Sequence, residues 1–237
     1  MTKNNWIKIW NARYKISKKK NSLSDLIKLN GFDNSIKDYN KTSWKLMVKD
    51  FLKRTKFKRN QNLLEIGCGS SAFLITCNKF IKANYYGFDY SRNQIKIAKK
   101  SLPGGNFKVF EANNFNYGKT KFDVVVAHSV FQYFPNKNYC LKVLQKSLKH
   151  LNKRGVLCLM DLNDIKFQRK YHETRKKIYF KKDSYNKKYA DLKHLFFDKS
   201  KLKKLLISIG FSNVVFFPHK VRTYGNSNLR FNLIAKV

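Results

Sequence analysis

The sequence predicts an α/β fold: a doubly wound, mostly parallel seven-stranded sheet of Rossmann-like form, with an antiparallel C-terminal hairpin and an N-terminal helical extension. Three observations carry this. From residue 62 short, β-branched apolar runs alternate with helical stretches, the pattern of βαβ units covered on both faces. The run Leu63-Leu64-Glu65-Ile66-Gly67-Cys68-Gly69-Ser70-Ser71 ends a strand on a glycine bend and opens a helix. After residue 199 a helix is followed by two strands, 211–217 and 229–237, which a tight connection over 222–228 makes antiparallel.

Residues 1–60 read as a helical extension or cap. Trp6, Ile9 and Trp10 have helical spacing, Ser24 caps residues 25–29, and Gly31 stops that helix. A further helix carries Trp44, Met47, Val48, Phe51 and Leu52, three and four apart. The sheet domain takes residues 61–237. Its first strands are 62–66, 84–88, 106–110, 122–127 and 156–161, with helices at 72–80, 91–100 and 139–151. A helix at 199–209, capped by Asp198 and stopped by Gly210, leads into the closing strands. Between residues 163 and 197 the alternation breaks and cations dominate, among them Arg169, Lys170, Arg175, Lys176, Lys177, Lys181, Lys182, Lys187 and Lys188. Sited after the fifth strand, this basic insert reads either as a lid over the carboxyl ends of the strands or as a solvated helix pair.

A chain of 237 residues, 43% hydrophobic, is long enough for one sizeable core. It has no apolar run of eighteen residues and no signal-type N-terminus, so a cytoplasmic protein without a transmembrane segment is expected. Cys68, Cys77, Cys140 and Cys158 lie far apart without a C-x-x-C pair, which indicates neither a metal site nor a disulfide framework. Charge is the anomaly: 51 Lys and Arg against 14 Asp and Glu give +37. Abundant Lys, Asn, Ile, Phe and Tyr fit AT-rich coding, but scarce Glu does not. The charge reads either as composition bias or as the mark of an anionic partner such as RNA, a membrane surface or a phosphorylated substrate.

Glycines at 67 and 69 let the backbone turn sharply and approach a ligand closely. An acidic residue lies about twenty positions on, Asp89 at the end of the second strand. A carboxylate there suits the vicinal hydroxyls of an adenosine ribose and disfavours a 2′-phosphate. In E-I-G-C-G (65–69), G-F-D-Y-S (87–91) and F-D-V-V-V-A-H-S-V (122–130) the chain resembles the class I S-adenosylmethionine-dependent methyltransferases, particularly their small-molecule branch. The resemblance runs from about residue 61 onward and implies S-adenosylmethionine as cofactor. It implies that Glu65, Gly67, Cys68 and Gly69 border the methionyl part, Asp89 binds the ribose and Tyr90 packs on the adenine. Asn113, with Asn114 and Phe115, stands where the family usually has an Asp for the adenine amino group. The resemblance also implies that His128, at the exit of the fourth strand, lies under the methionyl group. Ser71 replaces a third glycine, which implies looser helix packing. Against a dinucleotide stands Glu65: a carboxylate repels a pyrophosphate but favours a sulfonium and an ammonium.

Methyl transfer from a sulfonium is an in-line displacement, so the enzyme mostly aligns the nucleophile, a gain of roughly 7–11 kcal/mol. His128 is the candidate base, or else packs on the cofactor. Tyr133 and Phe134 line an acceptor pocket or pack in the core. Asp161, ending the fifth strand, orients an acceptor hydroxyl or serves as a cap. His194, Tyr224, Asn226 and Arg230 contribute to the acceptor pocket, or are turn chemistry and surface charge. Three functions follow. The first is methylation of an O or N atom of a small-molecule or glycan-type acceptor. The second is RNA methylation using the basic surface, although no appended RNA-binding motif is present and His128-Ser129-Val130-Phe131 stands where an amine clamp would be. The third is a non-catalytic protein that keeps the fold.

Overall fold

The structure, a computed structural model, describes residues 6–12, 22–32, 40–178, 192–221 and 223–237. Seven strands form one sheet in the order β3-β2-β1-β4-β5-β7-β6. They are β1 (Asn62–Ile66), β2 (Asn84–Asp89), β3 (Asn106–Val109), β4 (Phe122–His128), β5 (Leu151–Asn163), β6 (Ser212–Phe217) and β7 (Arg230–Lys236). All neighbours pair in parallel except β7, which runs antiparallel between β5 and β6. The expected topology is therefore present, with one correction. The closing strands are not joined by a tight turn: residues 218–229 separate them, and that longer connection carries His219, Tyr224 and Asn226.

Helices α1 (Trp6–Ala12), α2 (Leu23–Leu29) and α3 (Lys41–Thr55) precede the sheet, and α4 (Ala72–Phe80), α5 (Arg92–Ser101), α6 (Lys137–His150), α7 (Gln168–Ile178) and α8 (Lys199–Ser208) follow. Alternate residues along each strand go to opposite faces. Leu63, Val124, Val126 and Cys158 join a cluster with Trp44, Phe51 and Phe73. Leu64, Val125, Ala127 and Leu157 join another with Val143, Leu144 and Leu206. The N-terminal helices thus share one core with the sheet, where burying a side chain such as Phe51 contributes about 1.5–3 kcal/mol. Trp44 adds a specific tie, its Nε1 donating to Thr76 Oγ1 at 3.0 Å.

Helix α2 begins one turn-residue pair earlier than expected. Its cap is Ser22, not Ser24, in a reciprocal box with Asp25. Gly31 ends it at φ +90, as expected. Asp198 caps α8 by accepting from Lys201 N at 2.8 Å, and Gly210 leaves it at φ +110. Of the basic insert, residues 179–191 lie outside the described residues, and with them Lys181, Lys182, Lys187 and Lys188. Its two described ends meet in a short parallel bridge between Asp164 and Phe197. No helix among the described residues is long and apolar enough to cross a membrane.

Ser71 does not loosen the packing. Ser70, Ser71, Ala72 and Phe73 are all fully buried. The consequence of losing a glycine is local strain instead: Ser71 caps α4 at φ +65 without a side-chain cap bond, and its buried Oγ has no hydrogen-bond partner among the described residues. Ser71→Gly is therefore expected to stabilise the protein by about 1 kcal/mol, the relief of a left-handed non-glycine residue less the entropy of the added glycine. A urea midpoint that rises at unchanged slope checks this.

Candidate active site

The registers align the carboxyl ends of the central strands. Ile66 pairs with Phe88 and with Ala127, and His128 pairs with Met160. Strand order reverses between β1 and β4, and a crevice outside such a switch point is where open α/β sheets bind ligands. A cavity of about 840 Å³, counting its open mouth, lies here.

The glycine bend forms one wall. Gly67 and Gly69 sit at φ +64 and +50. A Cβ on Gly67 would lie 2.8 Å from Val130 Cγ2, and one on Gly69 2.5 Å from Asn30 Oδ1. Asn30, just beyond α2, clamps the bend: its Oδ1 accepts from Ser70 N and Ser70 Oγ, each at 2.8 Å. Asp89 accepts from Gly69 N at 3.1 Å and from Ser91 N at 2.8 Å. Cys68 is fully buried and packs toward Gly87, so its side chain is off the cavity wall.

Two carboxyls face this end. Glu65 is 2% exposed, lines the cavity, and its Oε2 has no hydrogen-bond partner among the described residues. Burial, then the charge of Asp89, pushes its pKa well above the ordinary value. Asp89 is pushed up to about 6, by burial against the opposing bonds from Ser91 and Gly69. The folded value exceeds the unfolded one, so the empty fold loses stability as pH rises through this window. A ligand that donates hydroxyls to the ionised form must expel the proton at lower pH. Cofactor affinity is accordingly expected to be flat above about pH 7 and to fall toward tenfold per unit below about 6. Calorimetric titration across that range checks it.

At the end of the cavity beyond β3 the structure places other residues than those the resemblance implied for the adenine. The cavity wall there is Phe110, Glu111 and Ala112, three residues before the predicted set, together with Tyr139 of α6. Asn113 reaches it only through its backbone, donating to Tyr139 Oη at 3.4 Å, while that hydroxyl donates to Glu111 at 2.8 Å. Asn114 is exposed. Phe115 is core, stacked on Phe88 at 4.8 Å. The turn after β3 folds into a short 3-10 segment, Ala112–Asn114, which puts Glu111 rather than Asn113 at the mouth. Tyr90 lines the cavity, its hydroxyl 3.4 Å from Trp6 O.

The opposite end is aromatic. His128 lies parallel to Phe32 at 5.2 Å and edge-on to Trp44 at 5.4 Å. Burial lowers its pKa to about 4, with Asp161 opposing, so it is neutral at neutral pH. Tyr133 and Phe134 line the cavity, and Tyr133 meets Trp6 and Trp10 edge-on at 4.8 and 5.2 Å. His194 sits behind that layer, 4.6 Å from Trp6 and 5.2 Å from Tyr133.

Asp161, Tyr224, Asn226 and Arg230, which the sequence offered separately, form one buried network. Arg230 Nη1 donates to Asp161 Oδ2 and, at 3.1 Å, to Tyr224 Oη. Tyr224 Oη also donates to Asp161 at 3.1 Å, and Asn226 Nδ2 donates to Tyr224 Oη at 3.2 Å. Buried His219 Nε2 lies 3.2 Å from Asp161 Oδ1. Burial alone would raise the Asp161 pKa, but Arg230 and His219 hold it well below the ordinary carboxylate range. None of the four residues lines the cavity; they brace it. Arg230 Nη1 reaches Ser129 Oγ at 3.4 Å, and Ser129 is on the wall. Ser129 and Asp161 have φ of +57 and +64, so Arg230 bridges two strained residues at the ends of adjacent strands.

Sequence reasoning missed Asn30, Phe32, Glu111 and His219. A helix-ending Asn-Gly pair was legible at 30–31, but not the bend it would meet.

A family model described as "Methyltransferase domain" matches residues 38–215. A putative methyltransferase of Invertebrate iridescent virus 6 is 28% identical over 122 residues, 51% of this chain and 46% of that protein. A trans-aconitate 2-methyltransferase of Rhodopseudomonas palustris is 31% identical over 114 residues, 47% of this chain and 43% of its own length. The chain thus spans less than half the length of these curated relatives. Among solved structures, a possible histamine N-methyltransferase from Thermotoga maritima superposes with a TM-score of 0.56 at 20% identity, covering 83% of this chain and 87% of the other. A phosphoethanolamine N-methyltransferase of Haemonchus contortus, in complex with S-adenosyl-L-methionine, gives 0.61 at 13% identity, covering 93% and 58%.

Proposed function

Because the chain belongs to the methyltransferase-domain family, with S-adenosylmethionine as cofactor, we propose that it methylates an O or N atom of a small-molecule or glycan-type acceptor. One observation carries the reading of the cavity: the buried, unpartnered Oε2 of Glu65 on its wall. An ammonium beside a positive sulfur satisfies that atom and stabilises its ionised form, which a pyrophosphate would oppose. The close approach of Gly67 to Val130 and of Gly69 to Asn30 leaves no room for side chains where the methionyl part would lie.

The residues divide the work. Asp89 accepts from the ribose hydroxyls, Tyr90 covers the adenine, and Glu65 faces the amino group. When bound, the cofactor supplies a methyl carbon activated by its positive sulfur. Trp6, Phe32, His128 and Tyr133 exclude water and hold the acceptor in line. With a pKa near 4, His128 is a weak base at neutral pH, and it orients an acceptor hydroxyl or amine by accepting its hydrogen bond. The test is calorimetry of the purified protein with S-adenosylmethionine, S-adenosylhomocysteine and a nicotinamide dinucleotide. Heat from the first two and none from the third is expected; the reverse sinks the reading.

The net charge supports an anionic surface partner as well. We assign it to a groove beside α3 and β6, lined by Lys53, Arg54, Lys56, Lys220 and Lys236 against the single carboxylate of Asp50, which pairs with Arg54 and Lys220; it shares no residue with the cavity. Bulk RNA binding that persists at physiological salt would favour a nucleic acid, whereas a steep loss with salt marks non-specific attraction.

A further inference from the structure

Behind the aromatic end of the cavity lies a buried cluster of unanswered polar atoms. Arg230 Nε, His194 Nε2, the Tyr171 hydroxyl, Gln132 Oε1 and Asn163 Oδ1 are all buried without a hydrogen-bond partner among the described residues. Native interiors rarely leave one such atom alone, because each costs about 1–3 kcal/mol. Here five lie on connected residues. Tyr171 is 5.8 Å from His194 between ring centroids, and the guanidinium of Arg230 lies 5.9 Å from the Tyr171 ring. Arg175 covers that ring at 4.8 Å. Gln132 donates through Nε2 to Ser129 Oγ at 2.8 Å, its backbone oxygen accepts from Leu195 N at 2.9 Å, and Asn163 Nδ2 donates to Leu195 O at 3.0 Å.

The chemistry of the orphans has a sign. Arg175 Nη1 lies 3.3 Å from His194 Nδ1. A guanidinium only donates, so Nδ1 is the acceptor and the ring proton sits on Nε2. Burial, with Arg175 and Arg230 next, holds the ring neutral. The unanswered set therefore includes three donors, from Arg230, His194 and Tyr171, with two guanidiniums beside them. Ser129, which Arg230 holds, connects this set to the cavity wall.

Resting on the methyltransferase reading of the cavity, we propose that Tyr171, His194, Arg175 and Arg230 form an acceptor subsite for a carboxylate. The carboxylate takes the Nε–H of Arg230, the Nε2–H of His194 and the hydroxyl of Tyr171. Its apolar body lies against Trp6 and Tyr133, and its other end reaches the transferred methyl beside Ser129 and His128. Gln132 and Asn163 accept from a hydroxyl next to the carboxylate. Tyr171 and Arg175 belong to α7, so the start of the basic insert acts on acceptor choice.

The test uses the full chain saturated with S-adenosylhomocysteine, at physiological salt, titrated with benzoate, benzamide and phenyl phosphate. Benzoate is expected to bind at least about tenfold more tightly than isosteric benzamide, the difference a charge-assisted hydrogen bond makes. Tyr171→Phe and Arg175→Gln should each abolish that preference, and Arg175→Lys should restore part of it. Tyr171→Phe removes only an unpartnered hydroxyl, so its melting temperature should not fall. Equal binding of benzoate and benzamide, or a preference untouched by both variants, would mean that the orphan atoms hold ordered water, and overturns the proposal. Tighter binding of phenyl phosphate overturns the carboxylate assignment. Failure of S-adenosylhomocysteine to bind at all is a separate result, and it sinks the methyltransferase reading instead.

Discussion

Asp89→Ala is expected to weaken S-adenosylmethionine binding by roughly a hundredfold. A carboxylate that accepts both ribose hydroxyls makes two charge-assisted bonds of about 1.5 kcal/mol each, and each 1.4 kcal/mol is a factor of ten. The loss should fall on affinity and not on folding. Asp89 also receives Gly69 N and Ser91 N, but it is a buried acid whose ionisation the empty fold resists, so removing it relieves one cost while adding another. Asp89→Asn keeps an acceptor oxygen and should lie between wild type and Ala. Calorimetry on the three proteins, with melting temperatures of each in the absence of ligand, separates the effects. A change of less than about threefold in affinity would place the ribose elsewhere.

The largest effect on stability is expected at Asp161. It is fully buried beside Arg230, His219 and Tyr224. Breaking a buried pair leaves the other charge uncompensated, at about 3–5 kcal/mol. Asp161→Ala should therefore lower the melting temperature by roughly 6–20 °C, at 2–4 °C per kcal/mol for a domain of this size. The double variant Asp161→Leu with Arg230→Met should recover most of that, because two apolar groups desolvate without penalty. Acid supplies an independent check. The folded pKa of Asp161 is depressed, so its contribution is complete above the ordinary carboxylate range and is lost as pH falls through the folded value. Wild type should lose more stability than Asp161→Ala on acidification. Equal slopes would remove the ion pair from the account.

What the sequence made legible was local. The bend at 65–69 and Asp89 stand out because strand, turn and helix follow one another within a short stretch, and parallel register then carries them to the same edge. The antiparallel end was legible from the order of its elements. The roof was not. Trp6 and Trp10 show a helix, but their placement over Tyr133 depends on where α1 packs, and no periodicity encodes that. Glu111 was displaced in favour of Asn113 because a 3-10 turn shifts the register by less than sequence spacing resolves. His219 lies in a connection with no repeat at all, and only the fold brings it to Asp161.

The position of β7 between β5 and β6 has a consequence for biosynthesis. Until residues 230–236 have left the ribosome, β6 has no neighbour to pair with and the Asp161 carboxylate lacks its guanidinium. A nascent chain can gather the N-terminal helices and five parallel strands early, yet its sixth strand waits on the seventh. Chaperone capture or proteolysis of stalled chains should therefore concentrate on those ending before Arg230, since an open sheet edge beside an unneutralised interior charge is the least tolerable intermediate on the way to the finished protein.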